Sequence, residues 1–144
     1  LAITEADIGV KQLPGVEVRV LSGVFEGVKG IMPRHMAASV FDISIEKGSR
    51  VNIPINPKEK AFIFLIEGEA IVANTPVSEK TAVLLSPGDS VSLCAATDFP
   101  IRCIFFAGKP LNEPIAWGGP IVMNTRQELE KAFDELRQGK FIKR

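Results

Sequence analysis

Apolar residues that recur at every second position restrict this chain more than any other feature. Val16, Val18 and Val20 alternate with Glu17 and Arg19, and Phe41, Ile43 and Ile45 alternate with Asp42, Ser44 and Glu46. Successive side chains of a strand point to opposite faces, so each run describes a half-buried β-strand with one wet face. The run at 61–66, Ala-Phe-Ile-Phe-Leu-Ile, is apolar at every position. That pattern predicts an inner strand covered on both faces.

Turn residues punctuate the runs. Glu67-Gly68-Glu69 separates 61–66 from a short return at 70–72, and 83–85 follows a polar loop. Ser86-Pro87-Gly88-Asp89 combines a fixed φ at Pro with a free φ at Gly, and two more apolar runs follow at 91–96 and 101–107. Many short strands with no helix between them predict an all-β domain, a jelly-roll sandwich or barrel. One helix is expected near the C-terminus. Thr125 and Glu128 form a capping-box pattern, Leu129, Phe133 and Leu136 share one face, and Gly139 ends the run. The apolar stripe predicts docking on the β body. Residues 1–15 end in Leu-Pro-Gly and read as an arm or interdomain linker, which leaves 16–144 as the domain.

Composition mainly excludes. A chain of 144 residues has the length of one domain, and its 17 Lys+Arg balance 17 Asp+Glu. No global field therefore favours nucleic acid or an acidic membrane. The longest apolar runs fall far short of the ~20 residues that span a bilayer, and no signal-peptide pattern is present. The expectation is a soluble cytoplasmic protein. Leu1 in first place fits a processed product or a piece of a longer chain. Cys94 and Cys103 flank an expected turn and could face each other across a hairpin, but in that compartment they read as reduced.

Few residues carry chemistry. His35 is the sole histidine, in the loop-like stretch Gly30-Ile-Met-Pro-Arg-His-Met36. As a ligand or base it would need partners, and the simpler reading is a loop histidine. Ser86 and Ser90 have no neighbouring histidine for a triad. Glu67 and Glu69 read as solvated hairpin charges rather than an acid/base pair. No Gly-rich strand-to-helix turn is available for phosphates, and the basic end, residues 139–144, reads as a solvated tail.

The strand pattern fits the frame of the cupins, jelly-roll barrels whose motifs place metal ligands in the barrel mouth. Counting from Gly48, the two histidine positions of the first motif fall on Pro54 and Asn56, the glutamate position on Ala61 and the closing glycine on Gly68. The turn of the second motif resembles residues 86–89, and its histidine position falls on Val91. Metal binding needs several converging N or O donors, which Pro, Ala and Val lack and Asn56 alone cannot replace.

The segment 107–128 is the most distinctive. Ala107-Gly-Lys-Pro-Leu-Asn-Glu-Pro-Ile115, then Trp117, Gly119-Pro120 and Val122-Met-Asn-Thr-Arg-Gln-Glu128, resembles the C-terminal signature of pirins. Val16-Glu-Val-Arg-Val20, Gly27-Val-Lys-Gly30 and Ser86-Pro-Gly-Asp89 fit the same half. Pirins are bicupins, with an iron site of three His and one Glu in the N-terminal barrel. The resemblance therefore implies a C-terminal cupin domain without a metal or cofactor of its own, the iron belonging to an N-terminal cupin. Its partners would be that N-terminal cupin or another copy of the chain. Two alternatives stay open: part of an iron-dependent quercetin 2,3-dioxygenase, or a stand-alone cupin that binds a small-molecule ligand. The family often has an aromatic residue where this chain has Gly118.

Pro110, Pro114 and Pro120 fix φ and remove donors, so the segment is expected to lie over a surface as a strap. In that reading Leu111, Ile115 and Trp117 bury, while Asn112, Glu113 and Asn124 satisfy backbone groups. In the alternative, Trp117 and its neighbours line a pocket. Trp117, Asn112, Glu113, Asn124 and His35 are the candidate pocket or interface residues.

Overall fold

The period-2 runs are strands in the computed structural model, which describes residues 4–142. Fourteen strands and one α-helix are found among them: β1 Gly9–Leu13, β2 Val16–Ser22, β3 Val24–Phe25, β4 Val28–Lys29, β5 Ala38–Ile45, β6 Arg50–Pro54, β7 Lys60–Glu67, β8 Ala70–Val72, β9 Thr75–Val77, β10 Thr81–Leu84, β11 Ser90–Ala95, β12 Ile101–Gly108, β13 Ala116–Gly118, β14 Ile121–Met123 and α1 Arg126–Arg137. A 3₁₀ turn, Glu5–Asp7, precedes β1. The residues divide into two compact units after Pro110.

The first unit is an all-β sandwich. One sheet runs β1-β2-β5-β12-β7-β10 and the other β6-β11-β8-β9, with all ladders antiparallel. The alternation is realised directly. Val16, Val18 and Val20, Phe41, Ile43 and Ile45, and Ile101, Cys103 and Phe105 point inward, none more than 3% exposed. They meet Val51, Ile53, Val72, Val91 and Leu93 from the second sheet in one core cluster. Full burial of one such side chain is worth about 1.5–3 kcal/mol, so alternation across five strands suffices to hold two sheets face to face. Phe105 stacks on Phe41 at 5.4 Å and 15° inside this core, and Phe25 tilts onto Phe41 from the β3–β4 hairpin at 5.6 Å.

Turns close the hairpins. Pro14 and Gly15 (φ 65°) join β1 to β2 with Leu13 opposite Val16. Residues 9–13, expected as an arm, are therefore an edge strand of the larger sheet, because the Pro-Gly pair that reads as a linker is a two-residue hairpin turn. Gly68 (φ 80°) turns β7 into β8, and a Cβ there would lie 2.7 Å from the Pro100 carbonyl oxygen. Gly88, by contrast, does not use a left-handed φ.

The run at 61–66 also departs from expectation. Ala61, Ile63 and Leu65 enter the core, but Phe62 is 40% exposed and Phe64 and Ile66 are half-buried. One face of β7 is core, and the other is the apolar outer face of the sheet. Cys94 lies on β11 and Cys103 on β12, in different sheets, and both are free thiols.

In the second unit, β13 and β14 form a two-stranded ribbon on which α1 packs. A Cβ at Gly118 would come within 3.1 Å of Phe133 and 3.2 Å of Leu129, so the absence of a side chain there lets the helix stripe approach the ribbon. The stripe that reads as a surface for docking on the β body meets β13 in this way. Ala132 is buried, whereas Leu136 remains exposed. The capping box forms as expected: Thr125 Oγ1 accepts from the Glu128 backbone N–H at 3.2 Å, and the Glu128 carboxylate accepts from the Thr125 N–H at 2.9 Å. Of the basic end, Lys143 and Arg144 lie outside the described residues. Among the described residues, no helix is long and apolar enough to cross a membrane.

Candidate functional site

Strand register decides which side chains a sandwich interior can offer. Val91 of β11 lies opposite Ile53 of β6, and both are buried in the core with Ala61. The motif spacing had put the two histidine positions on Pro54 and Asn56, and both of these are exposed. A one-residue slip reverses every side chain of a strand, so the inward positions are Ile53 and its half-buried successor Ile55. Neither register places a donor inside. Iron would require several imidazole or carboxylate groups converging there, and the interior at this point is aliphatic, so these residues do not fit a metal. Among the described residues, no three His, Cys, Asp or Glu side chains gather as a metal group.

Beside Val91 the two sheets part. An open cleft of about 380 Å³ is bounded by Val72 and Val91 from the smaller sheet and by Val83 of β10 and Leu85 just beyond it. Thr75, Ser86 and Ser90 also border it, and none of its wall residues is charged.

The outer face of the larger sheet is apolar along one end and charged toward the other. Phe62 of β7 and Phe106 of β12 are cross-strand partners that stack at 4.5 Å and 13°. Phe64 and Ile104 form the next pair, and Leu84, opposite Phe62 on β10, is 77% exposed. Toward the other end Arg102 grips Asp42 with two bonds, Nε at 3.0 Å and Nη2 at 2.7 Å. The hydrogen bond and charge of Asp42 push the Arg102 guanidinium above its ordinary range. Inside the same strand, burial first and the Asp42 charge second push the Cys103 thiol up to about 12. Cys103 is thus a core thiol rather than a nucleophile.

Four of the five predicted site residues belong to the second unit. Trp117 is 73% exposed, and its indole N–H donates to the Gly119 carbonyl at 2.7 Å. Leu111 and Ile115 are also exposed, at 59% and 78%. The burial expected of the strap is therefore corrected for all three: Gly118 turns toward α1, and strand alternation sends Trp117 to the opposite face of the ribbon. Asn124 Nδ2 donates to Glu113 Oε2 at 2.7 Å, a side-chain pair where backbone satisfaction was expected. Asn112 adopts φ 55°, which Asn tolerates better than most residues. Trp117 and Asn124 line a shallow cleft of about 450 Å³ with Ile115, Arg126 and Leu129. His35 is exposed on a bend before β5 in the first unit. Glu67 and Glu69 are exposed beside Gly68, as expected of solvated hairpin charges.

The comparisons with known proteins agree with this geometry. The profile of the Pirin C-terminal cupin domain matches residues 40–142. A pirin-like protein of Caulobacter vibrioides is 37% identical over 129 residues, covering 88% of this chain and 46% of the relative. A pirin-like protein of Solanum lycopersicum is 30% identical over 137 residues, covering 93% and 47%. The crystal structure of a quercetin 2,3-dioxygenase from Acinetobacter baumannii superposes with a TM-score of 0.91 at 30% identity, covering 98% of this chain and 50% of that one. The chain thus spans about half the length of the relatives it matches.

Proposed function

This chain belongs to the pirin family through its C-terminal cupin domain, and from that premise we propose that it serves as the metal-free half of a cytoplasmic two-cupin assembly. Its task in that assembly is to pack against a metal-binding N-terminal cupin, in the same polypeptide or supplied separately. The observation that carries the reading is the apolar outer face built on the Phe62–Phe106 stack, with Phe64, Ile104 and Leu84 around it. An apolar patch of this kind on a sheet marks a surface that another body covers. The aliphatic interior at Ile53, Ala61 and Val91 supports the metal-free part of the reading. Any dioxygenase chemistry of the assembly would then reside in the other cupin.

The test has two readouts. Purified chain is expected to hold far less than one equivalent of iron by elemental analysis and to leave quercetin absorbance unchanged. Stoichiometric iron with turnover would overturn the metal-free role. The same chain is expected to self-associate at high concentration in sedimentation, and Phe62→Glu or Phe106→Glu is expected to shift it to monomer. Unchanged association in both variants would remove this face as the interface.

A further inference from the structure

Two of the chain's three methionines and its sole histidine fall within five residues, as Met32-Pro-Arg-His35-Met36 between β4 and β5. None of the three belongs to the core cluster. Met32 is 59% and Met36 39% exposed, and His35 is exposed between them.

The fold closes this loop at both ends. The chain enters through Gly30, where a Cβ would stand 2.3 Å from the Val20 carbonyl oxygen, so a glycine is needed for it to run against β2. Ile31 then donates its backbone N–H to the Leu21 carbonyl at 3.1 Å, and at the far end the Ser22 hydroxyl donates to the Ala38 carbonyl at 2.7 Å. Entry and exit are thus tied to neighbouring residues of β2. The chain bends at 34–36, so that it turns between Met32 and Met36, and Pro33 fixes φ beside Met32. Donors in a loop already closed by the fold bind with less ordering cost than donors in an open chain.

Donor chemistry and charge narrow the ligand. Two thioether sulfurs and one imidazole nitrogen form a soft, uncharged set, which suits copper(I) and does not suit magnesium, calcium or manganese. The segment 30–37 contains no carboxylate, and Arg34 lies in its middle. A dication would meet twice the repulsion from that guanidinium that a monovalent ion meets, with no anionic ligand in the segment to offset it.

We propose that Met32, His35 and Met36 form a surface site for a soft monovalent cation of the copper(I) kind, held by two sulfurs and one imidazole nitrogen. The site lies outside the sandwich interior and is independent of the packing role.

Silver(I) nitrate, a redox-inert probe of the same charge and softness, tests this by NMR in chloride-free buffer. The chain used carries Cys94→Ala, because that half-buried thiol would compete for silver, whereas Cys103 is buried. With methionine methyl and histidine ring carbons labelled, one histidine and three methionines give few enough signals for Met32→Leu and Met36→Leu to assign them. The Met32 and Met36 methyls and the His35 ring are expected to shift together and to saturate at an equimolar ratio, while Met123 on β14 stays in place. Copper(I) added without oxygen should reproduce the pattern, and zinc(II) should leave both methyls unmoved. Each Leu variant conserves volume at an exposed position and should weaken silver binding roughly tenfold or more, as should His35→Gln. Circular dichroism checks that each variant is folded. The proposal is overturned if neither methyl moves with silver, if the histidine moves alone, if Met123 shifts in parallel, if copper(I) fails to reproduce the shifts, if zinc(II) moves the methyls at the same concentration, or if the folded variants bind like the parent.

Discussion

Phe62 and Phe106 stack 4.5 Å apart across β7 and β12 on the outside of the sheet, whereas Phe105, the next residue along β12, stacks on Phe41 within the core. One strand therefore carries aromatic pairs on both faces, with different energetic meanings. Truncating Phe62, already 40% exposed, removes a pair contact and opens no cavity. Phe62→Ala is expected to cost about 1 kcal/mol. Phe105→Ala empties a site that is 1% exposed and should cost about 3–5 kcal/mol. Urea unfolding of both variants measures the contrast, and equal losses would mean that the outer face is packed like a core.

Gly118 makes a second, local test. The ribbon and α1 approach closely because residue 118 has no side chain, and the ring of Phe133 already lies 3.1 Å from where a Cβ would stand. Gly118→Phe, which introduces the aromatic residue the family often has here, should overpack this contact by about 1–3 kcal/mol. Faster amide exchange in α1 would report it. Phe133→Ala in the Gly118→Phe background should restore protection, and failure to do so would place the strain elsewhere.

The helix start offers a third. Thr125 and Glu128 satisfy each other's backbone donors, so Thr125→Ala should destabilise α1 by about 1 kcal/mol. Glu128→Ala breaks the same box from the other side. The double variant should lose less than the sum of the single losses, which helical circular dichroism through urea titration can resolve.

Much of the sandwich was legible because burial on one face of a strand imposes period 2 on the sequence. β2 and β5 follow from that rule alone, whereas β11 and β12 were legible as apolar runs bounded by turn residues. The β3–β4 hairpin was missed because two-residue strands carry no period, although Glu26-Gly27 between Val24-Phe25 and Val28-Lys29 is a turn signal. For β7, an apolar run identified the strand but not what covers it, since hydrophobicity states what a face prefers and not whether a partner is there. The metal frame slipped because motif spacing counts residues through a loop, whereas the inward direction is set by the ladder that pairs Val91 with Ile53. Trp117 was assigned to burial from its chemistry. Its side was decided instead by Gly118, the residue small enough to admit the helix. The cleft at Val72 and Val83 had no sequence signal, because it arises where strands of two different sheets diverge.

Cys103 gives the chain a pH dependence on the alkaline side. Its thiol is fully buried between the sheets, and desolvation, helped by the nearby Asp42 charge, pushes its pKa to about 12 from an ordinary value of 9.0. The native state therefore keeps the proton where the unfolded chain loses it. With fewer protons bound in the unfolded state, the stability gradient with pH is negative. The contribution is complete below about pH 9 and is lost progressively as pH rises toward 12. Urea midpoints at neutral pH and near pH 10 should accordingly fall more for the parent than for Cys103→Val, which keeps an apolar side chain and has no proton to lose. Thiol labelling gives an independent check: Cys94, half-buried on β11, should react with a maleimide well before Cys103 does. Equal alkaline losses in parent and variant would show that this buried thiol does not set the limit.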